Sequence, residues 1–309
     1  MIKPSAIAIV GATCSGKTQT SIELSRLIDA EIISADSRQI YHYLTIGTAK
    51  PTIEEQNACP HHFIDILNPD EQYSAGKFAG DARIVAEYIF NRGKTPLIVG
   101  GSGLYITALC DGIFDEKIDD SNILHRVQLE ERLAKEGKEA LYKELSELDS
   151  DSAQKYTDQN PRRIIRALEY YYTTGIPLSV AHKNQMNKVT TFATQLFGIE
   201  IERPLLYERI NQRCIEMWSN GLVEETEKIL SMGYSPELNS INTVGYKETI
   251  AYLSGAYTKT KAIEKMQQST RNYAKRQLTW FRKNPNITWL SGTPASISEE
   301  IFRRHSDGK

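Results

Sequence analysis

Short apolar runs alternate with helix-period patterns along the first third of the chain. Residues 6–10, 31–35 and 95–99 read as strands, and residues 17–28 and 75–91 carry apolar positions at helical spacing. Strand–helix alternation of this kind predicts a parallel α/β sheet. After Tyr105 the texture changes. From about residue 116 to 188 no strong strand pattern occurs and charge rises. A helix is predicted over 121–136 with Gly137 as its stop, and another over 139–148. The next is well punctuated, with Asn160 as N-cap, Pro161 at the first helical position and Gly175 just past the end. Residues 196–201 return to strand-like alternation. Everything from Arg203 onward is mostly helical apart from a short strand expected at 287–290. The simplest organisation is a P-loop NTPase-like α/β core of residues 1–115 and 191–309, with a helical C-terminal part, interrupted by an all-helical insertion at 116–190.

Composition changes this picture little. A chain of 309 residues with 40% hydrophobic and 25% charged content is ordinary for a soluble protein and long enough for two domains. No apolar run approaches the roughly 20 residues of a membrane helix. The first eleven residues lead into a glycine-rich turn with no cleavage site behind them, so a first strand is expected there rather than a signal peptide. Cys14, Cys59, Cys110 and Cys214 are scattered, with no CxxC pair, and Cys59, His61 and His62 are not read as a metal site. A cytoplasmic monomer without a membrane partner is expected. Net charge is −2, so any nucleic-acid partner must be held by local basic patches and by shape.

One motif carries specific chemistry. Gly11, Ala12, Thr13, Cys14, Ser15, Gly16, Lys17 and Thr18 satisfy GxxxxGK[ST] directly after a predicted strand and before a predicted helix. Backbone N–H groups of this loop are expected to surround phosphate oxygens, with Lys17 as a point charge and the Thr18 hydroxyl as a ligand of Mg²⁺. The loop specifies a polyphosphate but not which one. The strand at 95–99 runs into Gly100, Gly101, Ser102 and Gly103, where a motor-type NTPase would place an acidic metal ligand. That weakens an ATPase reading and leaves a small-metabolite or nucleotide kinase open. Asp36, after the second strand, lies at the carboxyl edge of the sheet where α/β ligands bind. Alone it reads equally as a base, a metal ligand or an N-cap for a following helix.

Taken together, the segments at 11–18 (GATCSGKT), 36–41 (DSRQIY), 46–51 (IGTAKP), 61–66 (HHFIDI), 100–105 (GGSGLY), 160–169 (NPRRIIRALE), 244–248 (VGYKE) and 274–282 (AKRQLTWFR) closely resemble the tRNA dimethylallyltransferases. They run in order through almost the whole chain. Ala12 and Cys14 stand where that family usually has Pro and Ala, Ser102 where it commonly has Thr, and Lys247 where it commonly has Arg. The chain ends without the zinc finger of some eukaryotic members, which favours a bacterial type. The resemblance implies transfer of a dimethylallyl group from dimethylallyl diphosphate to N6 of adenosine 37 in tRNA, with Mg²⁺. It further implies Asp36 as the base, Ser102 near the reacting groups, and tRNA contacts from Asp36, Ser37, Arg38 and Gln39 and from Gln159, Asn160, Pro161, Arg162 and Arg163. Two basic stripes are added to these. Arg162 and Arg166 lie four apart on one helix, where pairing with Glu169 is the bland alternative to a phosphate clamp. On the late helix Arg271, Lys275 and Arg282 form a basic stripe, while Tyr273, Ala274, Leu278, Trp280 and Phe281 form an apolar arc expected to be core.

Overall fold

The computed structural model describes residues 4–112, 120–185 and 191–307, and the expected insertion boundaries at 116 and 190 lie outside the described residues. The chain divides into two compact units, Met1–Cys110 with Thr191–Lys309, and Asp111–Thr190.

Among the described residues the first unit carries strands β1 (Ser5–Val10), β2 (Ala30–Ser34), β3 (His61–His62), β4 (Thr95–Gly100), β5 (Ala193–Ile199) and β6 (Ile287–Leu290). They form one parallel sheet in the order β3-β2-β4-β1-β5-β6. Ile7, Ile9, Ile32, Leu97, Val99, Phe197 and Ile199 from four of these strands belong to one buried cluster. Each such side chain contributes about 1.5–3 kcal/mol by leaving water. Strand register positions the site. Val10 lies opposite Gly100, and Ser34 opposite Val99, so the segments leaving β1, β2 and β4 emerge side by side at the carboxyl edge.

Helices α1 (Lys17–Leu27), α2 (Ile53–Ala58), α3 (Ala75–Asn91) and α4 (Gly103–Thr107) precede the second unit, and α5 (Asp120–Leu148), α6 (Ser150–Lys155), α7 (Pro161–Thr174) and α8 (Leu178–Gln185) lie within it. The first unit then resumes with α9 (Arg203–Ser219), α10 (Leu222–Ser231), α11 (Tyr246–Leu253), α12 (Lys259–Phe281) and α13 (Pro294–Asp307). The second unit has its own apolar cluster, built on Leu129, Leu141, Leu145, Ile164, Leu168 and Leu178. Its punctuation follows the sequence. Gly137 interrupts α5 at φ 81° and ψ 168°. The Asn160 side chain accepts from Arg162 N at 3.1 Å, and Gly175 closes α7 in the left-handed region.

Two expectations need correction, and one strand was not foreseen. The fifth strand spans Ala193–Ile199 rather than 196–201, because the polar start of that segment pairs with β1 just as the apolar part does. The two-residue β3 is too short to register as a pattern. On α12 the buried stripe is Ala262, Met266, Ala274, Gln277 and Phe281, whereas Trp280 is 44% exposed. Trp280 follows Gln277 by three residues, so helical spacing alone does not set it apart from that stripe. Its ring lies where a Cβ on Gly103 would be, and its Nε1 donates to Thr107 Oγ1 at 3.3 Å.

Candidate functional site

The carboxyl edge of the sheet opens into a cavity of about 590 Å³ within the first unit. Of the eight loop residues singled out by sequence, Thr13, Cys14, Gly16, Lys17 and Thr18 line it, while Gly11, Ala12 and Ser15 are buried beneath. Cys14 takes a left-handed conformation at φ 62°, and Gly16, at φ 98°, is the N-cap of α1. Lys17 Nζ donates to Ala12 O at 2.6 Å, folding back over its own loop. Burial pushes the Lys17 ammonium down to about 8; Asp36 and Cys14 oppose the shift and Arg213 adds to it. Not every loop N–H is free for phosphate. Thr13 N donates to Gln277 Oε1 at 2.8 Å, and Ser15 N to Ala12 O at 3.3 Å.

Gln277, buried on α12, is a residue that sequence reasoning missed. Its Oε1 holds Thr13, and its Nε2 donates to Gly101 O at 2.9 Å, tying the phosphate loop to the end of β4. A Cβ on Gly101 would lie 2.1 Å from that nitrogen, so the glycine is required for the approach. Arg213, on α9, was also missed. It lines the cavity and its Nη1 donates to Thr13 Oγ1 at 3.4 Å, which brings a second cation to the loop. Neither residue carries a local signal. A lone glutamine or arginine on an amphipathic helix looks like any solvated position until the fold folds it inward.

Asp36, Ser37, Arg38 and Gln39 line the same cavity. No helix follows Asp36. Its Oδ1 instead accepts from Arg38 N at 2.8 Å and Gln39 N at 3.4 Å, capping a turn. Its Oδ2 takes no hydrogen bond from a described residue. Arg38 donates to Asn239 Oδ1 at 3.3 Å. The Gln39 amide is fully engaged with protein: Nε2 donates to Thr48 O and Ala49 O at 3.2 and 2.9 Å, and Oε1 accepts from Ser34 Oγ at 3.2 Å. Val244 and Lys247 complete part of the wall, with Lys247 Nζ 3.5 Å from Glu248.

Other expected residues lie elsewhere. Ser102 is the N-cap of α4, its N–H donating to Ala35 O at 3.2 Å, and it is not among the cavity's lining residues. Arg271 and Lys275 also lie off the cavity, whereas their neighbours Thr270, Tyr273 and Arg276 line it. Gln159, Asn160, Pro161, Arg162, Arg163 and Arg166 belong to the second unit. There Arg163 lies 3.7 Å from Asp158, and Arg166 donates to the buried Glu169 at 3.0 Å, the bland pairing anticipated for it. Arg162 is exposed. Among the described residues no group of three or more His, Cys, Asp or Glu could hold a metal ion. His61 and His62 engage Cys59 O at 2.7 Å and Glu31 at 2.9 Å. No helix of the described residues is long and apolar enough to cross a membrane.

Comparison with known proteins places this geometry. The sequence profile of the IPP transferase family matches residues 39–284. The chain is 42% identical over 301 residues to a tRNA dimethylallyltransferase of Alkaliphilus metalliredigens, covering 97% of this chain and 96% of that one. It is 44% identical over 296 residues to that of Thermotoga neapolitana, covering 95% and 94%. A crystal structure of tRNA delta(2)-isopentenylpyrophosphate transferase from Staphylococcus epidermidis superposes with a TM-score of 0.72 at 37% identity, over 99% of this chain and all of that one. A eukaryotic dimethylallyltransferase captured acting on tRNA gives 0.79 at 29% identity, over 95% of this chain and 75% of that one. Relatives named for transfer to tRNA do not favour the kinase alternative. The chain belongs to the tRNA dimethylallyltransferase family and is a transferase with a P-loop-like α/β fold.

Proposed function

We propose that this chain transfers a dimethylallyl group from dimethylallyl diphosphate to N6 of adenosine 37 in tRNA. The observation that carries the reading is a single cavity lined by Lys17 and Thr18 at one edge and by Asp36 at another. A diphosphate cradle and an unpaired carboxylate oxygen thus face one space. Departure of diphosphate breaks the allylic C–O bond and sends its electron pair to the leaving oxygen. Lys17 and Arg213 are the cations, and the loop amides the dipoles, that stabilise the growing charge there. The N6 lone pair forms the new N–C bond, and Asp36 Oδ2 takes the N6 proton while Oδ1 stays tied to the 36–39 turn.

The residues present fit Mg²⁺, which prefers few hard oxygen ligands beside substrate phosphates. The Thr18 hydroxyl lines the cavity and makes no hydrogen bond to a described residue. Thr18 would hold the ion, which would neutralise diphosphate charge. Ser37 and Arg38 remain available to the adenine edge. Gln39 supports them through the loop it grips and does not itself read the base. Arg162, Arg163, Arg166, Arg271 and Lys275 are assigned to RNA phosphates. Mass spectrometry of tRNA nucleosides after incubation with protein, donor and Mg²⁺ tests the reading. A gain of one dimethylallyl group on adenosine at position 37 is expected, and an unmodified nucleoside pool would defeat it.

A further inference from the structure

Three consecutive backbone N–H groups, those of Thr45, Ile46 and Gly47, converge on one carboxylate. Glu225, in the first turn of α10, accepts from Thr45 N at 3.1 Å, from Ile46 N at 3.0 and 2.8 Å, and from Gly47 N at 3.1 Å. Successive N–H groups so arranged form an anion-binding concavity, and here a side chain far along the sequence fills it. The Tyr246 hydroxyl donates a further bond to Glu225 Oε1 at 2.5 Å. Tyr246 is fully buried, and burial with the adjacent carboxylate pushes its hydroxyl far up, so it remains a donor. Gly47 makes room for the ring, since a Cβ there would lie 2.5 Å from its carbons.

The far side of the same loop leads to the reacting edge. Thr48 O and Ala49 O accept from Gln39 Nε2, Ser34 Oγ donates to Gln39 Oε1, and Gln39 N donates to Asp36 Oδ1. An unbroken run of hydrogen bonds and covalent chain therefore links α10 to the Asp36 carboxylate. Gly47, Thr48 and Ala49 line the cavity beside Asp36, whereas Glu225 and Tyr246 do not. Nothing in this run touches the phosphate loop, which is bracketed separately by Gln277.

We propose that Glu225, seconded by Tyr246, is a positioning residue for the acceptor half of the reaction, holding the 45–49 loop and through it Gln39 and Asp36. This rests on the reading of Asp36 as the base. Losing the bracket misplaces a group that must meet N6 within hydrogen-bond reach, and a displacement of about 1 Å can cost about 100-fold.

The test is single-turnover prenyl transfer by the full chain with tRNA and dimethylallyl diphosphate, for Glu225→Gln, Tyr246→Phe, Asp36→Asn and the Asp36→Asn/Glu225→Gln pair. Glu225→Gln should slow transfer about 10- to 100-fold while donor KM stays within about twofold, and Tyr246→Phe should slow it about threefold to tenfold with the same KM. Because Glu225 acts through Asp36, adding Glu225→Gln to Asp36→Asn should cost less than about threefold more. A fully multiplicative loss in the pair, or a donor KM rising in step with the loss of rate, would overturn the bracket alone. An Asp36→Asn protein at normal rate would overturn both the bracket and the reading it rests on. Should Glu225→Gln fail to fold, Tyr246→Phe decides, with an unchanged rate counting against the proposal.

Discussion

The two edges of the cavity are built in opposite ways. The phosphate side is made by contiguous chain: β1 ends at Val10, the loop closes on itself through Lys17 Nζ to Ala12 O, and α1 begins at Lys17. The acceptor side is one carboxylate on a short turn, placed by groups from Ser34, the 45–49 loop, α10 and α11. Local construction makes a motif that a sequence displays. Distributed construction leaves an aspartate that, on its own, reads as a cap. The difference also predicts different failures, because the phosphate loop is closed by its own chain with Gln277 as a distant brace, whereas the carboxylate depends for its placing on several groups remote in sequence.

The sharpest division is expected from Asp36→Asn. The amide keeps one acceptor for the turn but cannot take the N6 proton, so single-turnover transfer should drop by about 10²–10⁴. Donor affinity should barely move. Equal losses in both would merge the two edges into one. Lys17→Ala should act on the other edge, lowering kcat/KM for the donor by about 10²–10³, the range for a lost charge-stabilising donor, with tRNA affinity nearly intact. A comparable fall in tRNA binding would show that the edges are not separate.

Lys17 also gives this edge a pH signature. Burial has lowered its pKa to about 8, so in the donor-free protein the ammonium is present below that pH and is lost above it. A diphosphate binds the charged form. kcat/KM for the donor should therefore fall as pH climbs through about 8, and Lys17→Arg, whose guanidinium stays charged, should lack that limb. A profile flat to pH 10 in the unaltered protein would remove Lys17 from donor capture.

Much of this was legible beforehand, for physical reasons that differ by element. The phosphate loop, α3 at Ala75–Asn91 and β6 at Ile287–Leu290 follow from local pattern, as do the Asn160 and Gly175 caps, because caps and periodicity are properties of a few adjacent residues. Gln277, Arg213 and Glu225 were not legible. Each is a polar residue on a helix whose significance comes from a partner from 176 to 264 residues away. Trp280 was misread because its spacing from Gln277 is that of a buried residue, whereas its ring lies against Gly103 and Thr107 and stays 44% exposed. Ser102 was carried over with its motif, yet the glycines around it have a purpose visible only in three dimensions, the passage of Gln277 and Trp280 against the chain.

The bracket on the phosphate side offers a milder counterpart to the changes above. Gln277→Leu would take the side-chain partner from the half-buried Thr13 N and the buried Gly101 O, at about 1–3 kcal/mol for the buried carbonyl, so thermal unfolding should come earlier. Donor KM should rise about tenfold through the slackened loop, with single-turnover rate at saturating donor nearly kept. That is the reverse of the split expected for Glu225→Gln. A Gln277→Leu protein that lost rate and kept KM would invert the assignment of brackets to edges.

The smallest effect concerns how RNA is held outside either edge. With a net charge of −2, affinity for tRNA must come from local cations, and each phosphate neutralised contributes roughly 0.7 to 0.9 to the salt slope. Arg271 and Lys275 differ here. The Arg271 guanidinium donates to Asn211 Oδ1 at 2.5 Å and lies 5.9 Å from the Tyr207 ring centroid, joining α12 to α9, while Lys275 is exposed. Lys275→Ala should thus flatten the slope by about one contact and weaken all tRNA substrates alike, with thermal stability unchanged. Arg271→Ala should lower stability as well, because the α9–α12 contact goes with it. Ser37→Ala should do neither, and should instead reduce discrimination for adenosine at the target position, since base contacts specify and phosphate contacts position. Affinity measured against salt for all three decides the matter. An unchanged slope in the Arg271/Lys275 double substitution would make this stripe an ordinary solvated face, and the RNA grip would then fall to the arginines of the second unit.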